Sequence, residues 1–279
     1  FMEDIHHCKE ILHAIENLIG TPMTENQTAV LQKHAATIIQ WTAFMLHNTI
    51  KSNKSCNMFD IPCHMLEVAA KLGLVSDNVY IAIYYYRTNR YAEALSVISE
   101  MKEMLRDTKQ CETGNYCHYY AERCTMALGE HVWLTKMVQD IKFSNDICFI
   151  EELHWEQLCA KENNQWMLAI PLFVTIQFVE FLCSRHIGTV AATDALERLQ
   201  NLIQRDQETY VPVIYRDISW QILGICQQIN GDFPAARYSY EQSLKQYQWN
   251  KIQNETRVRI NEIATAKNSS RTLVKKDIH

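Results

Sequence analysis

Turn-forming residues are scarce in this chain. Its 279 residues include 7 glycines and 5 prolines, where average usage gives about 20 and about 14. So few breakers leave room for little besides helix. Strand signals are missing too. No period-two run of β-branched residues occurs, and Asn230-Gly231, a pair that suits a hairpin, joins two helical patterns. No apolar run reaches the roughly 18 residues that a membrane span needs. The longest candidate, Trp166–Cys183, holds Pro171, Gln177 and Glu180 and reads as a buried helix. A basic excess is also absent: the net charge is −5 and the pI about 6.1. That argues against nucleic acid as a partner, which needs a basic face.

Catalytic signatures are missing as well. The phosphate-binding, dinucleotide-binding, nucleophile-elbow and zinc-protease motifs do not occur. The 10 cysteines include no C-x-x-C pair, the tight chelate most zinc sites use. The densest set is Cys111, Cys117-His118 and Cys124. Cys117 and Cys124 lie two helical turns apart, about 10 Å, too far to share one ion easily. His118 and Glu122 read as a hydrogen-bonded surface pair. Tyr84-Tyr85-Tyr86 and Tyr119-Tyr120 read as packing residues rather than base-stacking platforms. No metal and no cofactor is expected. Cys8, Cys124, Cys159, Cys183 and Cys226 sit among apolar residues, which suits buried reduced thiols and a cytoplasmic protein. Sequons at Asn26, Asn53, Asn254 and Asn268 are short enough to recur by chance. The chain starts on Phe1, so a longer parent protein is expected.

What remains is helical periodicity. Ile5, Cys8, Ile11, Leu12, Ile15, Leu18 and Ile19 form one stripe over Met2–Ile19. Thr24 with Gln27 three residues on is a capping box for a helix running to about Ile50. The polar stretch 51–57 reads as a loop, and Asp60–Leu72 as a helix. From about Ser76 the helices shorten and pair: 76–87 with 91–106, 115–128 with 131–142, 145–161 with 166–183. Then follow 189–205, 209–229, 233–247 and 255–266. The expected division is an N-terminal helical segment over 1–75, a repeat domain over 76–266 and a flexible basic tail over 267–279.

The pairs share a pattern. Asn89, Tyr91, Ala94 and Ile98 are matched by Asn164, Trp166, Ala169 and Phe173, and by Gly231, Phe233, Ala236 and Tyr240. The Asn or Gly permits a turn between helices. The aromatic is expected to open the second helix and fill the gap between the pair. The alanine lets the helices approach closely, and the bulky residue packs on the next unit. In the last unit Trp220, Leu223 and Gly224 precede this set. The spacing between the aromatics is near two units of about 34 residues.

At these residues the chain resembles the tetratricopeptide-repeat family. It departs from that pattern at Gln227 and Ser243 and lacks the terminal proline. The resemblance covers roughly 76–247. It implies an all-α fold of antiparallel hairpins stacked as a right-handed solenoid; an irregular helical bundle with one repeat-like hairpin is the plainer reading. It also implies a non-catalytic scaffold that binds a protein or peptide in a groove lined by the first helix of each pair. By motif position that groove takes Val79, Ile83 and Tyr86, then His154, Leu158 and Lys161, then Gln221, Ile225 and Gln228. Residues 222–263, with KIQNETRVRI, are also similar to the C-terminal helical region of invertebrate cGAS-like nucleotidyltransferase proteins. That resemblance implies an accessory region of a larger enzyme.

Overall fold

The computed structural model describes residues 2–19, 21–53, 60–73, 75–109, 140–206 and 209–276. Among these, eleven α-helices and one two-stranded antiparallel sheet account for the regular structure besides three short 3₁₀ turns. The helices are α1 (Met2–Ile19), α2 (Glu25–Asn53), α3 (Asp60–Leu72), α4 (Asn78–Arg87), α5 (Tyr91–Lys109), α6 (His154–Glu162), α7 (Leu172–Ile187), α8 (Thr189–Arg205), α9 (Arg216–Ile229), α10 (Phe233–Lys245) and α11 (Gln253–Lys276). The chain is thus all-α with a minor sheet. Most of the expected helix in 115–142 lies outside the described residues, as do Cys56, Cys111, Cys117, His118, Tyr119, Tyr120, Glu122 and Cys124.

Local sequence explains the element ends. The capping box forms: the Thr24 N–H donates to Gln27 Oε1 at 2.9 Å, and the Gln27 N–H to Thr24 Oγ1 at 3.3 Å. α9 starts at Arg216 rather than near Thr209. The Asp206 carboxylate takes the N–H groups of Tyr210 and Val211, and Pro212 is extended, so a helix cannot begin until they are passed. α11 runs on to Lys276, well into the segment expected to be a tail.

Strands were not expected, yet Ile141–Ser144 (β1) pairs with Met167–Ile170 (β2), with Ile141 opposite Ile170 and Ser144 opposite Met167. β1 replaces the end of the helix expected to reach Lys142, and β2 the start of that expected from Trp166. Both strands are covered on both faces, so no polar–apolar alternation marks them. Pro171 ends β2 and caps α7 rather than lying within a helix. The helix expected over 145–161 contracts to α6, entered through a 3₁₀ turn at Glu151–Leu153.

Packing runs from neighbour to neighbour: α1 on α2, α2 on α3, α4 on α5, α5 on α7, α7 on α8, α9 on α10 and α10 on α11. One apolar core extends from Cys8 to Ile263 without a break at Val75. Lys33 and Gln40 of α2 hold the buried Asp77 carboxylate at 3.3 and 3.0 Å. Phe44 of α2 meets Tyr80 and Tyr84 of α4 edge-on.

The three turns of the repeated pattern have the same backbone geometry. Asn89, Asn164 and Gly231 have φ of 61°, 58° and 84°. At each, the N–H of the turn residue and that of its successor return to the preceding helix: to Tyr86 and Tyr85, to Lys161 and Ala160, to Gln228 and Gln227. This is the Schellman way of closing a helix. The three alanines that follow, Ala94, Ala169 and Ala236, are fully buried. The aromatics behave differently from expectation. Trp166 is 66% exposed and Phe233 43% exposed, so neither fills the gap between a pair. Asp232 caps α10 through the Ala235 N–H at 3.1 Å, and its successor Phe233 begins the helix at its outer end. Tyr91 stacks on His186 of α7, with ring centroids 4.1 Å apart and planes 1° from parallel.

Candidate functional site

The base of the site is a buried ion network between α6, α9 and α11. The Glu156 carboxylate is wholly buried. Arg259 Nε donates to Glu156 Oε1 at 2.6 Å and its Nη2 to Oε2 at 3.0 Å, while Gln221 Nε2 donates to Oε1 at 2.7 Å. Arg259 Nη2 also reaches the Glu152 carbonyl at 3.1 Å. Burial works against the Arg259 charge, but Glu156 outweighs it and holds the guanidinium protonated. Burial and the nearby Glu156 charge push the Glu255 carboxyl up to about 7, against the attraction of Arg259. Tyr240 caps the α9–α10 side, its hydroxyl donating to Gln228 Oε1 at 2.6 Å.

Above this base lies a cleft of about 480 Å³. Glu151 and Glu152 and Trp155 form one wall; Ile225, Gln228 and Ile229 of α9 form another; Phe233 and Arg259 close it. Trp155 is 59% exposed and is met edge-on by the His154 ring. The Glu152 carboxylate accepts from the Tyr86 hydroxyl through Oε1, and its Oε2 is buried without a hydrogen-bond partner among the described residues. Burial, then the Glu152 charge, push the Tyr86 phenol up. Arg87 is held by the Cys148 carbonyl and lies 3.7 Å from Glu151 Oε1. Beyond Tyr86 the aromatic set continues into Tyr91 and His186, at 6.1 and 6.4 Å.

The nine residues expected to face a groove divide. Val79 and Ile83 are core residues, because α3, α5 and α7 close over α4. Gln221 and Ile225 are also buried, since α9 packs between its neighbours and Gln221 is spent on Glu156. Ile225 nonetheless forms part of the cleft wall, beside the half-buried Gln228. Tyr86 supports the cleft through Glu152. His154 reaches it only through Trp155, and Leu158 is half-buried. Lys161 is exposed and pairs with Asp146 at 2.6 Å.

Glu151, Glu152, Trp155 and Arg259 were not singled out from the sequence, and Phe233 was assigned to the scaffold. Trp155 carried a signal. Leu153, just before its helix, and Ala160 within it mark the buried stripe, and an aromatic off that stripe faces outward.

Among the described residues no group of three or more His, Cys, Asp and Glu side chains could hold a metal ion. Cys8, Cys159, Cys183 and Cys226 are buried free thiols. Burial pushes Cys183 up to about 12, away from nucleophilic use. No helix among the described residues is long and apolar enough to cross a membrane. Comparison with protein-family models, curated proteins and solved structures finds no match.

Proposed function

We propose that the protein is a non-catalytic interaction scaffold, built of stacked helix hairpins in the manner of tetratricopeptide repeats, that binds a peptide or partner helix in the cleft beside Glu152. The carrying observation is the pair of exposed aromatics, Trp155 and Phe233, on the rim of one concavity whose base is rigidly ion-paired. Exposed aromatics over a fixed base are the usual anchors of protein recognition. The equivalent turns at Asn89, Asn164 and Gly231 and the buried alanines after them support the repeat reading. The strand at Met167–Ile170 makes the middle unit irregular. The buried free thiols support a reducing, cytoplasmic setting.

The test is selection of a randomised peptide display library on the purified protein. Enriched peptides should bind wild type and lose binding to Trp155→Ala and Phe233→Ala, with both variants folded by circular dichroism. Peptides that bind all three proteins equally would place the binding surface elsewhere.

A further inference from the structure

We infer that the occupant of the cleft is a peptide presenting a lysine or arginine side chain beside an apolar one, an inference that rests on the cleft being a peptide site. The cations around the cleft are already spent. Arg259 is committed to Glu156, through two hydrogen bonds, with Glu255 at 3.6 Å. Arg87 is committed to the Cys148 carbonyl and to Glu151. Glu152 receives only the neutral Tyr86 hydroxyl at Oε1 and nothing at Oε2. No ion pair holds it among the described residues. Arg185 acts on the same Tyr86 phenol from α7 but makes no ion pair with Glu152 among the described residues. A carboxylate with no ion pair, partly withdrawn from water, favours an incoming positive charge. The surfaces beside it select the same chemistry. Trp155 and Phe233 line the cleft with aromatic surface on which a cation and the methylenes that carry it can pack, and Ile225 and Ile229 offer contact to an apolar neighbour. An acidic peptide would meet Glu151 and Glu152 with like charge.

The peptides selected on the wild-type protein supply the test. They should be enriched in Lys or Arg next to Leu, Ile or Phe. One such peptide, labelled with fluorescein, should lose about tenfold in affinity when its basic residue becomes Gln, and about tenfold on Glu152→Gln, the size expected of one nearby charge under partial screening, Oε2 itself being buried. Glu152→Gln keeps the shape and the acceptor for Tyr86. Its fold is checked by circular dichroism, and the salt dependence of the wild-type affinity gives a second readout that needs no variant. Peptides that depend on Phe233 but carry no basic preference would overturn this inference and leave the peptide site standing. Acidic enrichment, salt-independent affinity, or a dimer in solution that covers the cleft with a second copy of the chain would each overturn it too. No enrichment of any peptide would overturn both readings.

Discussion

Replacing Gly224 by alanine tests how α9 and α10 meet. A Cβ at Gly224 would lie 2.5 Å from Tyr240 Cε1, 2.6 Å from Cδ1 and 3.0 Å from Cζ. Carbon atoms rest at about 3.5–4.0 Å, so the ring must retreat by roughly 1 Å. It has little freedom to do so, being fully buried and tied by its hydroxyl to Gln228. Overpacking of this kind costs about 1–3 kcal/mol, and breaking the hydroxyl bond adds about 1 kcal/mol. Against this, alanine in a helix interior is favoured over glycine by about 0.5–1 kcal/mol. The expected net loss is about 2 kcal/mol, read as a lower urea midpoint at unchanged slope. A double-mutant cycle isolates the contact: in a Tyr240→Leu background the same substitution should cost much less. If Gly224→Ala instead raises stability by the propensity increment, the close approach does not exist and the reasoning about this hairpin is wrong.

Other expectations follow from the same contacts. Gly231→Ala should cost about 1–2 kcal/mol although no atom lies within 4 Å of the added Cβ, because φ of 84° penalises any side chain; an unchanged urea midpoint would contradict the turn geometry. Arg259→Met should cost about 3–5 kcal/mol by leaving Glu156 buried and unpaired. A loss below about 1 kcal/mol, the size of an exposed pair, would count against the network. Burial also pushes Asp217 up to about 6, alongside Glu255 at about 7. Their folded-state values lie above the unfolded range near 4. The stability each contributes as a neutral group is therefore full below about pH 4 and lost as pH rises through the folded value. Glu255→Gln, which stays neutral, should thus gain on wild type as pH rises from about 5 to about 8; a constant difference across that range would refute the assignment. Trp155→Ala should leave the urea midpoint nearly unchanged, since the residue is 59% exposed; a clear loss would make Trp155 a core residue.

Much of the helical framework was legible because its signals are local. Met2–Ile19 and Asp60–Leu72 carry one apolar stripe each, and Thr24 and Gln27 form the box their spacing implies. The turns at Asn89, Asn164 and Gly231 were legible for the same reason: a residue that tolerates positive φ stands between two periodic runs. The sheet was hidden because Ile141–Ser144 and Met167–Ile170 are four-residue apolar runs buried on both sides, alike in sequence to pieces of buried helix. Pro171 was the available clue, and was read as lying inside a helix.

The cleft was only partly legible. Tyr86, Ile225 and Gln228 were among the expected groove residues, but the charged residues that give the cleft its character come from elsewhere in the chain. Glu152 sits in a 3₁₀ turn, and Arg259 is brought to Glu156 by α11 across a long sequence separation. No local pattern encodes that meeting. Val79 and Ile83 are core residues because motif position fixes a helix face but not what else packs upon it, here α3, α5 and α7.

The most direct measurement is an amide and indole chemical-shift map of the isotope-labelled protein titrated with a selected peptide. Binding in the cleft predicts shifts at the Trp155 indole and at Glu151, Glu152, Gln228, Ile229 and Phe233, with about a tenfold higher peptide concentration needed for the same shifts once its basic residue is changed to Gln. Shifts that leave Trp155 and Phe233 untouched would contradict the account.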